Sequence, residues 1–289
     1  MPYFQHLLII ISIFAISVLS LNLVVGYTGI LSVMQAGLQG IGSYTLALLL
    51  VQHGWGFIPA LIVAVLITAA FALPIGFILS RLRGDYFALG SLGVNAIITA
   101  FLINAMSLTN GPLGIARIPF PKVAGLTFAT VPGFMWLVLG ALFLVLGFCF
   151  WITRSSFGLV LRAIREDEDA IQIFGYRVRW YKLTIFVMSA GLAAFSGAFY
   201  ASYIRFIDPT PFNINASVNI LAAAILGGLG RLRGSLIGAV LFIGLNEAVR
   251  FLGFDPSFAA QFRLGIVGIL LIVLMIVRPQ GILGSYKLK

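Results

Sequence analysis

RSSFGLVLRAIREDEDAIQIFGYRVRWYK, residues 154–182, is where the charges of this chain gather. The stretch holds ten of the 26 charged residues, of which 18 are basic and 8 acidic, and long apolar runs flank it on both sides. Phe157 to Gly175 can be written as one helix with Val160, Ala163, Ile164, Ile171 and Phe174 on a single face, interrupted at Asp167. Arg162 with Glu166 and Arg165 with Asp169 stand four apart on the wetter side. Each such pair is worth about 0.2–0.5 kcal/mol. A charged amphipathic helix held between spans is either a docking element or a solvated loop, and the rest of the chain decides between them.

The flanks are membrane-like. Of the 289 residues, 61% are hydrophobic and only 9% charged, with a mean hydropathy of +1.11. A soluble domain carries about 25% charged residues. Continuous apolar runs without strict alternation choose helices over a β-barrel as the spanning form. The expectation is an all-α polytopic membrane protein, one transmembrane domain over 1–289 with a cytoplasmic loop at 154–182. Nine spans fit (a range of 8–10): 7–25, 36–52, 57–80, 86–107, 132–153, 183–204, 218–230, 235–252 and 262–278. The first is read as a retained span rather than a cleaved signal. The third carries Pro74 and Gly76, a kink signal. The seventh is short and ends in Gly227-Gly228-Leu229-Gly230, as an unwound half-helix does.

Sidedness follows from the basic residues. Segments 81–85, 154–182, 231–234 and 278–289 hold two, six, two and three of them, 13 of the 18; Arg117, Lys122, Arg205, Arg250 and Arg263 remain. That asymmetry puts 154–182 and the C-terminus in the cytoplasm and the N-terminus outside. The net charge of +10 thus reports sorting across a membrane, not nucleic acid. The single cysteine, Cys149, can form no internal disulfide, and His6 and His53 lack ligating neighbours, so neither metal nor cofactor is expected.

Residues 26–42 are dense in glycine, at 26, 29, 37, 40 and 42. Each costs up to about 1 kcal/mol against alanine in a helix interior. Broken backbone at membrane depth marks a solute path. Close helix packing through small residues is the equal alternative. Neutral polar groups at depth are Gln35, Gln39, Asn95, Asn104 and Asn219, each either a path contact or an interhelical hydrogen bond. Gly29, Gln35, Gly37, Gln39, Asn95 and Asn219 are the candidate path residues. The tetrapeptide Arg-Leu-Arg-Gly occurs at 81–84 and again at 231–234, a faint sign of duplication.

Enzymatic chemistry is missing. No G-x-x-x-x-G-K-[ST] occurs, so the chain has no P-loop with which to hydrolyse nucleotide, and there is no H-E-x-x-H. Ion-coupled carriers bury carboxylates in their spans. The only acid well inside an expected span is Glu247, three residues before Arg250 and so placed for ion pairing; Asp208 and Asp255 precede prolines and read as turns.

Several ordered motifs resemble one family. They are Leu21-Asn22-Leu23-Val24-Val25-Gly26-Tyr27-Thr28-Gly29 with the Gly37–Tyr44 segment, Arg81-Leu82-Arg83-Gly84-Asp85-Tyr86-Phe87-Ala88, and Thr109-Asn110-Gly111-Pro112-Leu113-Gly114-Ile115. Ser156 to Ala170 and Arg278-Pro279-Gln280-Gly281-Ile282-Leu283-Gly284 complete the set. Together they resemble the smaller permease subunits of branched-chain amino acid ABC importers. The resemblance implies a multi-pass permease of the bacterial inner membrane that is not itself an enzyme. It implies as partners a second homologous permease, two cytoplasmic ABC ATPases, a periplasmic binding protein, membrane lipid and a small zwitterionic substrate. It also implies that the 157–175 helix docks the ATPase, with Glu168, Ala170 and Gly175 matching the family's Glu-Ala…Gly pattern apart from the intervening Asp169, and Ile164 and Ile171 on the coupling face. An ABC permease for urea, amides or a sugar is the alternative, and an ion-coupled secondary carrier a third.

Overall fold

A computed structural model describes residues 2–82, 84–123, 125–250, 265, 268, 269 and 280–283. The chain is an all-α polytopic membrane protein. Helices α1 (Pro2–Thr28), α3 (Phe57–Leu79), α4 (Asp85–Asn104), α6 (Val131–Arg154) and α9 (Val178–Ile204) are each long and apolar enough to cross a bilayer. Helix α2 (Gln35–Val51) has 17 residues, about 26 Å of helix. The one-turn α5 (Met106–Thr109) follows α4, and α7 (Ser156–Glu166) and α8 (Glu168–Ile173) lie between α6 and α9. Helices α10 (Ile214–Gly227) and α11 (Leu232–Arg250) are joined by a short turn and bent 119° to one another. The expected seventh and eighth spans are therefore one sharply bent pair. The expected ninth, 262–278, and Asp255 lie outside the described residues.

Helices α1, α2 and α9 form the centre, and small residues bring them together. Apolar side chains lose little on moving from lipid to a helix contact, so close backbone approach and interhelical hydrogen bonds carry association instead. Ser17 Oγ and Ser196 Oγ share a hydrogen bond of 2.7 Å, and Ser189 Oγ donates to the Ser20 carbonyl at 2.7 Å. Gly42 faces Ala194, whose Cβ is 2.5 Å from where a Gly42 Cβ would sit. Helix α3 runs on through Pro74, and Gly76 lets Phe186 of α9 close on it.

Two expectations for the loops change. Phe157–Gly175 is two helices, not one. Asp167 adopts extended backbone (φ −154°) and its carboxylate accepts from the Asp169 and Ala170 N–H groups at 3.0 Å, so it ends α7 and caps α8. Arg162 turns away from Glu166 to donate to the Thr153 carbonyl at 2.6 Å. The glycine-rich stretch is helical from Gln35 onward, and its break is confined to 29–34. At the far end of the bundle, Ile115–Ala116 pairs antiparallel with Phe206–Ile207, and Arg205 Nε donates to the Ile118 carbonyl at 3.1 Å.

Candidate functional site: a small cavity and the end that grips it

After α1 ends at Thr28, Gly29 turns the chain with φ +74° and residues 30–34 run back without helix. Backbone freed in this way must find partners inside the protein. Two serines supply them. Val33 N–H donates to Ser91 Oγ of α4, and Ala36 N–H to Ser217 Oγ of α10, both at 2.9 Å. Met34 offers no cap, so α2 begins on a hydroxyl borrowed from α10. Gln35 donates to Ser20 Oγ of α1.

One helical turn further along α2, Gln39 reaches a cavity of about 250 Å³ between α1, α2, α9, α10 and α11. Its wall is mostly apolar, with Ile13, Phe14, Phe212 and Phe242 prominent. Among the described residues three neutral polar groups border it, on Gln39, Tyr200 and Asn219, and no charged side chain lines it. Drug-sized ligands occupy pockets of about 300–1,000 Å³, so this one suits a smaller solute.

Of the six candidate path residues, the structure brings Gln39 and Asn219 into that cavity. Gly37 and Asn95 meet near the start of α2, where Asn95 Oδ1 lies so near Gly37 that no Cβ would fit, while Gln35 turns to Ser20 of α1. Asn95 is fully buried, and neither atom of its amide has a hydrogen-bond partner among the described residues. Gly29 is remote from all of them, under the Arg165 side chain. Asn104 only returns to the Ala100 carbonyl of its own helix, at 2.8 Å.

The coupling candidates divide. Ile164 is buried with Leu161 on the inner side of α7, and Glu168 pairs with Lys182, itself only 6% exposed. Ala170 and Ile171 are half-buried, and Gly175 closes the turn after α8 with φ +87°. The apolar groups turned furthest outward are Ile173, 86% exposed, and Phe174, 76% exposed, with Leu159 of α7 also exposed.

One residue the sequence reading passed over ties the two regions together. Asn22 accepts from Gly230 N–H at 2.9 Å, and its amide donates to the Arg231 carbonyl at 3.0 Å and to Ser235 Oγ at 2.6 Å. It thereby pins the α10–α11 turn to α1. Four residues on, the Gly26 carbonyl accepts from Arg165 Nη1 of α7 at 2.7 Å. Ile282 and Leu283 N–H groups cap the Leu226 and Gly227 carbonyls of α10 at 3.1 and 3.0 Å. The signal was present in the sequence: Asn22 is the one amide in the apolar run from Ile9 to Val25. Glu247 is reached by the Tyr3 hydroxyl at the opposite end.

The family described as "Branched-chain amino acid transport system / permease component" matches residues 3–275. The high-affinity branched-chain amino acid transport system permease protein LivM of Escherichia coli (strain K12) is 35% identical, over 94% of this chain and 68% of its own length. LivH of the same organism is 25% identical, and BraD of Pseudomonas aeruginosa 28% identical, each over 94% of this chain and 92% of its own. No solved structure matches. With one family covering nearly all of the chain, and a relative more than a third identical over most of both lengths, the protein belongs to the permease family of branched-chain amino acid transport systems.

Proposed function

We propose that this chain is one permease subunit of a bacterial inner-membrane ABC importer that moves leucine, isoleucine and valine. In this reading the N-terminus is outside, the C-terminus and 154–182 are cytoplasmic, and nine spans include 262–278. The cavity carries the proposal. An apolar wall bordered by neutral amides and a phenol fits an aliphatic side chain, while no fixed charge traps either end of a zwitterion. A second permease completes the path, a periplasmic protein delivers the solute, and two cytoplasmic ATPases dock on Ile173 and Phe174.

Movement passes from the docking end to the cavity through few atoms. Arg165 holds α7 to the Gly26 carbonyl, and Asn22, one turn back on α1, holds the α10–α11 turn. Helices α10 and α11 also contribute Asn219 and Phe242 to the cavity wall. ATP-driven displacement of α7 and α8 therefore re-seats the bent pair and opens the cavity to one side and then the other, an alternation between two packings.

The test is uptake by the assembled complex in proteoliposomes. Gln39→Leu and Asn219→Leu should leave assembly intact and change the relative uptake of leucine, isoleucine and valine. Gly37→Leu, which drives side-chain atoms into Asn95 and Ile98, should prevent assembly. Uptake of urea or a sugar in preference to all three amino acids, or transport by this chain without ATPases, would overturn the reading.

A further inference from the structure

A second cavity, of about 610 Å³, lies away from the solute side. It opens where the end of α3 meets α8 and the start of α9, and Ser80, Arg81, Gln172, Arg177, Arg179 and Trp180 line it. Glu168 also faces it, but Lys182 neutralises that carboxylate. Among the described residues none of Arg81, Arg177 and Arg179 forms an ion pair with a carboxylate. Three guanidinium groups line one polar hollow whose single carboxylate is already paired with Lys182, and none of the three has a carboxylate partner among the described residues.

Its position says which anion. Arg81 and Arg179 both lie over the Phe77 ring, 5.4 and 5.9 Å from its centroid, and that ring belongs to the outward face of α3. Phe77 and Ile78, in the last turn of the apolar helix α3, are exposed, as is Trp180 in the wall of the hollow, so apolar surface borders the cationic groups. Arg and Lys near a membrane end hold anionic lipids, and tryptophan favours the headgroup level. A guanidinium binds phosphate through two parallel hydrogen bonds. The groups that dock the ATPase in the proposed function, Ile173 and Phe174, do not line the cavity; Glu168 and Gln172, elsewhere on α8, do. We infer that this cavity binds the phosphate headgroup of an anionic phospholipid, with its acyl chains along Phe77 and Ile78. The lipid bridges α3 to α8 and α9 and fixes the pose of the segment between α6 and α9. This site is independent of which solute the permease carries.

Native mass spectrometry of the full chain, released from detergent with phosphatidylglycerol or phosphatidylcholine added, tests the assignment. The wild type should retain phosphatidylglycerol in preference to phosphatidylcholine. Arg177→Gln and Arg179→Gln should each weaken that retention roughly fivefold, and Arg179→Lys, which keeps the charge but loses the paired hydrogen bonds, by less than that. Equal retention of the two lipids by the wild type, or undiminished phosphatidylglycerol in the Arg177→Gln/Arg179→Gln double variant, would overturn it. So would displacement of the lipid by millimolar inorganic phosphate, which marks a site for a soluble anion. If the double variant does not fold, the wild type decides alone. Retention must fall between roughly 50 and 500 mM salt, because a headgroup held by partly exposed guanidinium groups is screened, and salt-independent retention refutes the inference.

Discussion

Gly197→Ala tests whether the centre of the bundle is held by close backbone approach. An added Cβ would stand 2.5 Å from Ser43 Oγ and 2.9 Å from the Gln39 carbonyl carbon, and nearer still to that carbonyl oxygen. Carbon atoms in ordinary contact sit about 3.5–4.0 Å apart, so α9 must withdraw from α2 by roughly 1 Å. Backbone cannot step aside as a side-chain tip can. Overpacking of this kind costs about 1–3 kcal/mol. It is offset in part by alanine's helix preference, up to about 1 kcal/mol over glycine. The withdrawal also strains the Ser17–Ser196 hydrogen bond one residue away.

At about 2–4 °C per kcal/mol for a chain of this size, the overpacking should place the melting temperature roughly 2–12 °C below that of a variant that gains the helix preference alone. The protein carries its own reporter. Cys149 is the only cysteine and is fully buried, so a thiol-reactive fluorophore reads unfolding at a single position. Gly93→Ala is the control, since a Cβ there meets nothing within 4 Å and the helix preference alone should leave the melt unchanged or raised. A Gly197→Ala melt no lower than that of Gly93→Ala refutes close approach as the source of cohesion.

Asn22→Ala removes the hydrogen bonds that pin the α10–α11 turn and leaves buried groups unpaired, which should cost about 1–3 kcal/mol in the same melt and abolish uptake; wild-type behaviour in both assays would show that the pin is dispensable. Glu168→Gln leaves Lys182, 6% exposed, without its counter-charge. Removing one partner of a fully buried pair costs about 3–5 kcal/mol, but Glu168 is part-exposed, so about 1–2 kcal/mol is expected, read as faster tryptic cleavage between Arg165 and Arg179. An unchanged cleavage rate counts against the pair as the clamp on α8. Ile173→Asp with Phe174→Asp should shift the melt by less than about 0.5 kcal/mol, because both groups are exposed, yet uncouple ATP hydrolysis from uptake in the complex; intact coupling would move the docking surface elsewhere.

Hydropathy alone placed six of the helices within a few residues, because a run of apolar side chains near 20 long has one stable form in lipid. The grouping of basic segments was equally legible. Arg81 meets Arg177 and Arg179 at one cavity, and the turn before Arg231 is capped by Ile282 and Leu283. What the sequence hid was pairwise. Period and composition could not say that Ile164 turns inward while Ile173 and Phe174 turn out, since Asp167 rotates α8 relative to α7 by ending one helix and starting the next. Nor could glycine density separate Gly37, Gly40 and Gly42, which admit Asn95, Phe212 and Ala194, from Gly29, which makes a turn. The same residue type serves a neighbour in three cases and a backbone angle in the fourth, and only the neighbour's position distinguishes them.

That distinction also divides the molecule by how firmly each part is held. Helices α1, α2 and α9 meet through glycine, alanine and serine at distances that leave no slack, so separating them loses many contacts at once. The α10–α11 pair rests on α1 and α2 through an apolar cluster that includes Val18, Leu21, Ala36, Ala223 and Phe242. Asn22 at its turn and Ser217 under the start of α2 add discrete polar links. Each is worth about 0.5–1.5 kcal/mol and can be exchanged for another partner as the pair tilts. A permease that alternates between two packings needs one body that keeps its shape and one that changes seat for a few kcal/mol. The small-residue core has the properties of the first, and the bent pair, which also walls the cavity through Asn219 and Phe242, has those of the second.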